Sequence, residues 1–227
     1  MELIIDTIDL EEVKELIDYL PIVGVTSNPS IVKRTHPERF FEHMVKLKKL
    51  IDGRQLHVQV ISKNAEGMVE EAKKILDVLG SDTYIKIPAS YEGIKAMGIL
   101  NKKGVNITAT AIYDLMQSYI SLQAGAKYIA PYVNRISNLD GDPFELIASL
   151  SAKIKEDHYD CKIVAASFKN ARQVKEAYRY GAQAATVTYD VIKTIFKNPN
   201  IEKAVDDFNA DWYSMYGENV GILDIKD

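Results

Sequence analysis

Eight short runs of β-branched and small apolar residues alternate with longer amphipathic segments along the whole 227-residue chain. Strands separated by helix-length crossovers pair in parallel, and a parallel sheet needs helices over its faces, so this alternation leaves few folds open. The runs are Leu3–Asp6, Val23–Thr26, His57–Ile61, Tyr84–Pro88, Asn106–Thr110, Tyr128–Tyr132, Ile163–Ser167 and Ala185–Tyr189. Helices are expected to start near Asp9, Pro37, Asn64, Tyr91, Tyr113, Asp142, Asn170 and Asp190, several of them on a capping side chain such as Asp9 or Asn64. Strand ends recur at gaps of about 20 to 35 residues, one βα unit each, and eight units in roughly 200 residues match the short end of the (β/α)8 range. An open doubly wound sheet is the competitor, weakened because Asp6-Thr7-Ile8-Asp9 stands where a Gly-rich dinucleotide-binding turn belongs. The predicted fold class is therefore α/β, a (β/α)8 TIM barrel with an extra C-terminal helix at about 201–217. Ala204, Val205, Phe208, Trp212 and Met215 are available for one face of that helix. No Gly, Ser or Pro tract divides the chain, so residues 1–217 are expected to form one domain and 218–227 a tail.

With 47% hydrophobic and 26% charged residues, the chain has the composition of a globular protein with a substantial core. A net charge of −4 without a basic cluster argues against a general nucleic-acid surface. Lys46, Lys48 and Lys49 are the densest cationic group, and they read as the solvated face and C-terminal end of a helix closing near Ile51. Cys161 stands alone, which rules out an intramolecular disulfide and a thiolate cluster and leaves a buried structural thiol as the default. Met1 to Asp6 lacks a cationic stretch followed by a long apolar one, and no 18-residue apolar run occurs, so a cytoplasmic location and no membrane association are expected. His36, His43, His57 and His158 show no ligand spacing, and Asp140-Gly141-Asp142 lacks the later ligands of a calcium loop, so neither metal nor cofactor is expected.

Within Tyr84-Ile85-Lys86-Ile87-Pro88 an ammonium interrupts an apolar strand. Strand periodicity puts Ile85 and Ile87 on one face and Lys86 on the other with Tyr84 and Pro88. On an edge strand Lys86 sits in water; inside a core, burial lowers its pKa and makes it a nucleophile near neutral pH. The other strand ends bear on the choice. Asp6 ends the first run, Thr26 and Asn28 follow the second, Gln59 lies on the third and Thr110 ends the fifth. Tyr132, Asn134 and Arg135 end the sixth, and Ser167 with Lys169 the seventh. A barrel gathers all these ends at its active-site face, so seven polar ends together favour a functional amine. A lysine of that kind needs a carbonyl substrate, a proton-transfer group and an anchor for a charged substrate end. Asp6 and Tyr132 suit the second need. Arg135, Ser167 and Lys169, a fork, a hydroxyl and a point charge, suit a phosphate.

Seven segments carry a resemblance to a known family: Ile5-Asp6-Thr7, Gly24 to Ser30, Val58-Gln59-Val60, Tyr84 to Pro88, Thr108 to Ala111, Ala130 to Arg135, and Ala165 to Lys169. Over residues 1 to 217 the chain resembles the transaldolase family, in particular its short branch that includes fructose-6-phosphate aldolase. The resemblance implies that Lys86 forms the Schiff base and that Asp6 assists proton removal from the hydroxyl that becomes a carbonyl. It implies that Thr26 and Asn28 hold substrate hydroxyls and that Arg135, Ser167 and Lys169 receive a phosphate. It implies no metal, because the iminium is the electron sink, and a homo-oligomer, pentamer or decamer, joined through the C-terminal helix.

True transaldolases of this family carry a glutamate on strand three and a phenylalanine on strand six, where this chain has Gln59 and Tyr132. The resemblance thus implies the aldolase branch, in which Gln59, Thr110 and Tyr132 hold the catalytic water. The expected activity is reversible cleavage of fructose 6-phosphate to dihydroxyacetone and glyceraldehyde 3-phosphate. The alternative is transfer of the dihydroxyacetone unit between sugar phosphates, and a remote one is a non-catalytic sugar-phosphate-binding barrel. Two features depart from the branch: Thr108 and His57 replace more apolar residues near the site, and the stretch from Gly217 to Asp227 is longer than usual.

Overall fold

The structure, a computed structural model, describes residues 1–225, and the last two residues of the expected tail lie outside that range. The chain divides into two compact units, Met1–Ile192 and the segment from Lys193 onward. In the first, eight strands close a parallel barrel in sequence order: β1 (Glu2–Ile5), β2 (Ile22–Thr26), β3 (Gln55–Gln59), β4 (Tyr84–Pro88), β5 (Ile107–Ile112), β6 (Tyr128–Pro131), β7 (Lys162–Ala165) and β8 (Ala184–Val187). β8 pairs back onto β1 through Glu2↔Ala184 to Ile5↔Val187, which removes every edge. The buried layer between strands and helices holds Ile5, Val25, Leu56, Ile85, Ile87, Ile107, Ile129 and Ile163, which face outward from the barrel. A smaller apolar group, including Ile4, Ala130, Val164 and Ala184, fills part of the barrel interior.

The helices of this unit are α1 (Leu10–Tyr19), α2 (Pro29–Thr35), α3 (Phe40–Leu50), α4 (Ala65–Leu79), α5 (Tyr91–Asn101), α6 (Leu115–Gln123), α7 (Val133–Ser137), α8 (Pro143–Glu156) and α9 (Ala171–Arg179), followed by α10 (Tyr189–Phe196). Asp9 and Asn64 cap α1 and α4 as expected, accepting from Glu11 and Glu12 N and from Gly67 N. Asp142 caps α8, so the Asp140-Gly141-Asp142 segment is a turn into a helix. Cys161 is buried, and its thiol is pushed up to about 12 by loss of water, the mark of an unreactive sulfur.

Two local expectations are corrected. The second crossover contains two helices where one starting near Pro37 was expected: Asn28 caps α2 and Pro29 occupies its first turn, a start signal that the apolar periodicity hides. Several strands also end earlier than expected. Ser167 adopts φ 63°, which no strand accommodates, and Tyr189 already opens α10.

The second unit contains α11 (Pro199–Tyr216), capped by Asn198 and ended by Gly217 at φ 101°, close to the expected C-terminal helix. The Trp212 indole N–H donates to Val220 O at 2.7 Å and ties the following segment to this helix. Among the described residues no helix is long and apolar enough to cross a membrane.

The approach of α5 to β4 bears directly on Lys86. Ser90 caps α5 by accepting from Gly93 N at 3.0 Å, and a Cβ on Gly93 would lie 1.9 Å from Pro88 O. Gly93→Ala must therefore displace the strand end or the helix, and the expected cost is about 2–3 kcal/mol in urea unfolding. An unchanged midpoint would show that this contact is soft.

Candidate active site

Lys86 lies on the inner face of β4, 5% exposed, and donates from Nζ to Ser27 O at 2.8 Å. The sequence therefore places an amine in the barrel, because β4 has no edge to offer it. Burial pushes its pKa down, and the Asp6 carboxylate acts in the opposite direction. Asp6 follows β1 at the mouth of the barrel. Loss of water raises its pKa against the pull of Lys86, the Thr26 hydrogen bond and Arg34. Acid and amine are thus each driven toward the neutral form by the same cavity, and each restrains the other.

Thr26 donates to Asp6 Oδ1 at 2.6 Å, and the Thr186 hydroxyl lies 2.5 Å from Thr26 Oγ1. Because the Thr26 proton goes to the carboxylate, Thr186 is the donor in the second contact. Thr186 was not singled out in the sequence, although its place in Ala184-Ala185-Thr186-Val187 puts one hydroxyl on the inner face of β8. Asn28, two residues past Thr26, accepts from Ile31 N through Oδ1 at 3.0 Å as the α2 cap, which leaves its amide protons for another partner.

On β5, the strand next to that of the lysine, the Thr110 hydroxyl meets the Tyr132 hydroxyl at 2.9 Å. A backbone irregularity makes this possible: the β5–β6 register shifts between Ala109 and Ile112, and Ala111 adopts φ 56°. Gln59 pairs with Lys86 in register across β3 and β4, and its Oε1 is buried with no partner among the described residues. Arg135 lies on α7 with its guanidinium 4.7 Å from the centre of the Tyr132 ring, and Nη1 donates to Tyr113 OH at 3.3 Å. Asn134, just before it, donates from its backbone N to Ser167 O at 3.0 Å, which ties the first turn of α7 to the left-handed Ser167 turn. Lys169 is exposed, and its backbone N–H donates to Gln173 Oε1 at 2.8 Å; Gln173 in turn reaches Asn134 at 3.2 Å.

Below the lysine the barrel interior is more polar than expected. His57 Nδ1 lies 2.8 Å from Thr108 Oγ1, and Nε2 lies 3.1 Å from Gln55 Oε1. Gln55 Nε2 donates to Tyr128 OH at 3.1 Å, Tyr128 donates to Glu2 at 2.7 Å, and Lys162 pairs with Glu2 at 2.5 Å. The His57 ring stacks on Tyr84 at 4.5 Å and meets the edge of Tyr128 at 5.4 Å. Of these residues the sequence flagged only His57 and Thr108. Inward periodicity through Gln55 and His57, and through Glu2 on β1, is the signal for the rest.

An apolar cavity of about 430 Å³ opens beside β3, with Ser27, Asn28 and Gln59 on one wall and Phe40 and Phe41 on another. It adjoins the site through Gln59, but Lys86, Asp6 and Tyr132 do not line it. Among the described residues no three His, Cys, Asp or Glu converge as a metal-ligand group.

A (β/α)8 barrel with a lysine and a carboxylate gathered at the carboxyl ends of its strands has the architecture of an aldolase-type enzyme. Residues 3–221 match the family described as Transaldolase/Fructose-6-phosphate aldolase, and the chain belongs to that family. A curated relative from Streptococcus pneumoniae (strain ATCC 700669 / Spain 23F-1), named probable fructose-6-phosphate aldolase, is 44% identical over 214 residues. The match covers 94% of this chain and 96% of that protein.

His57 generates a prediction of its own. Burial, reinforced by Lys86, holds its pKa down at about 3, against about 6.5 in an unfolded chain. The stability tied to the neutral ring is fully present above pH 6.5 and is lost as pH falls toward 3, because the unfolded chain takes up a proton that the folded one refuses. Between pH 6.5 and 4.5 the urea-derived stability should fall more steeply in the wild type than in His57→Gln, by about 2 kcal/mol. Parallel pH profiles would contradict a neutral buried His57.

Proposed function

We propose that the protein is a Schiff-base aldolase that reversibly cleaves fructose 6-phosphate to dihydroxyacetone and glyceraldehyde 3-phosphate, with Lys86 as the nucleophile. The observation that carries the reading is an amine buried in the barrel mouth with its pKa lowered and a carboxylate acting on it. The free amine attacks the C2 ketone, and loss of water gives an iminium. Asp6 takes the C4 hydroxyl proton as the C3–C4 bond breaks, the electron pair of that bond passes into the iminium, and the aldehyde departs. Protonation of the enamine at C3 and attack of water on the resulting iminium release dihydroxyacetone and restore Lys86.

Tyr132 supplies the proton for the enamine, and Gln59, Thr110 and Tyr132 hold the hydrolytic water. The Thr110–Tyr132 contact and the buried, unpartnered Gln59 Oε1 support this assignment. Thr26 acts on the substrate through the carboxylate it holds, and Asn28 offers its amide to a substrate hydroxyl. Arg135, Ser167 and Lys169 take the phosphate, with Arg135 already oriented by Tyr113 and Tyr132. Transfer of the dihydroxyacetone unit to a second sugar phosphate is the competing reaction, since the matched family covers both. Gln59 and Tyr132 favour cleavage, because they equip the site to protonate and hydrolyse the enamine instead of retaining it. We further propose that the protein works in the cytoplasm as a homo-oligomer, a pentamer or decamer assembled through α11, whose Val205, Phe208 and Met215 are exposed.

Borohydride reduction in the presence of dihydroxyacetone, followed by peptide mass spectrometry, should place the adduct on Lys86, and Lys86→Ala should lose at least about 10³-fold in kcat. An unmodified Lys86 would sink the mechanism. With fructose 6-phosphate alone the enzyme should release glyceraldehyde 3-phosphate; product only after addition of erythrose 4-phosphate would identify a transaldolase. Tyr132→Phe should still form the trapped adduct while turnover drops about 10²-fold.

A further inference from the structure

The hydrogen bonds beneath Lys86 form one file across the barrel interior, and their direction is forced link by link. The Glu2 carboxylate only accepts, so Tyr128 gives it the single phenolic proton and must itself accept from Gln55 Nε2. That orients the Gln55 amide with Oε1 toward His57 Nε2, which therefore carries the ring proton. The ring is neutral, so Nδ1 is bare and accepts the Thr108 hydroxyl proton. Every O–H and N–H in the file thus points toward Glu2, whose charge Lys162 balances at the far end. The dipoles add head to tail, and the negative end of the file is the Thr108 oxygen. Thr108 is 1% exposed, is paired in register with Lys86 across β4 and β5, and has given its only proton to His57.

We propose that Thr108 and His57 are positioning residues for Lys86: through this file the Thr108 oxygen is held with its lone pairs on the lysine's side, where it favours the cationic forms of the lysine nitrogen. Those forms are the ammonium and, if the aldolase reading holds, the iminium that draws the electrons of the breaking bond. The low-dielectric interior strengthens an oriented dipole of this kind and makes an unsupported cation costly. The other groups facing the lysine act separately. Asp6, just past β1, favours the cation by direct charge, Ser27 O accepts from Nζ, Arg34 from α2 acts on Asp6, and Tyr132, just past β6, is engaged with Thr110. His57 cannot compete as a second cation because burial, reinforced by Lys86, keeps it neutral.

The test is the titration of Lys86 in the full-length protein. Reductive methylation by formaldehyde and cyanoborohydride across pH, quantified on the Lys86 peptide, reads the free amine whether or not any sugar phosphate is cleaved, so failure of the aldolase reading leaves this measurement standing. Thr108→Val removes the hydroxyl at nearly constant shape, and the Lys86 midpoint should move down by about half to one pH unit. Thr108→Ser should restore it. In Thr108→Val kcat for cleavage should fall about tenfold with KM within about twofold of the wild type, because the support is needed after binding. Tyr128→Phe, which breaks the file two links away, should give a smaller shift in the same direction and serves as the second test should Thr108→Val fail to fold. A midpoint that stays put or rises in the folded variants would overturn the proposal and leave the file as a structural filling of the barrel.

Discussion

The closed parallel barrel obliges Lys86 to live without bulk water, and most of the polar structure around it follows from that. An ammonium in a low-dielectric interior is tolerated only when opposite charge and oriented dipoles surround it; otherwise it surrenders its proton. This barrel supplies intermediate support. Ser27 O accepts from the nitrogen and Asp6 contributes charge, yet burial still dominates, so the amine is more readily deprotonated than a surface lysine. The same loss of water raises the Asp6 pKa. An amine eased toward its neutral form and a carboxyl held toward its protonated form thus share one environment, the arrangement expected of acid–base chemistry run near neutral pH.

Much of this was legible in the sequence because both signals it relies on are periodic. The alternation of strand and helix identified all eight strands, and the two-residue period of Tyr84-Ile85-Lys86-Ile87-Pro88 placed the lysine opposite the outward isoleucines. Failures occurred where the chain leaves its period. The helix opened by Asn28 and Pro29 is too short to show an apolar stripe, and the kink at Ala111 leaves no mark in Thr108-Ala109-Thr110-Ala111 although it brings Thr110 to Tyr132. The partners of His57 were hidden for another reason. Gln55, Tyr128 and Glu2 are ordinary residues near strand starts, and only closure of the barrel makes β3, β6 and β1 share one interior.

That interior also explains how a barrel this short carries so many polar groups without losing its core. The apolar bulk lies outside the strands, under the helices, where Ile85, Ile87, Ile107 and Ile129 are fully buried. The inside of the barrel is thus released from much of the packing burden, provided each polar atom finds a partner. With the buried exceptions of Gln59 Oε1 and Ser151 Oγ among the described residues, that condition is met. Ser151 sits on α8, away from the lysine, whereas Gln59 pairs with Lys86 in register.

The two polar systems that flank Lys86 divide the barrel by strand. Asp6, Thr26 and Thr186 come from the end of β1, from β2 and from β8 and converge on a carboxylate, while Thr108, His57, Gln55 and Tyr128 come from β5, β3 and β6 and run away from the lysine to Glu2. The first system is centred on a carboxylate whose pKa is raised by burial and whose charge acts on Lys86. The second contains no group that titrates readily, since His57 is held neutral and the Tyr128 phenol is pushed up by burial and by Glu2. Lys86 therefore stands between a carboxylate whose ionisation is coupled to its own and a run of hydrogen bonds whose members hold their protons.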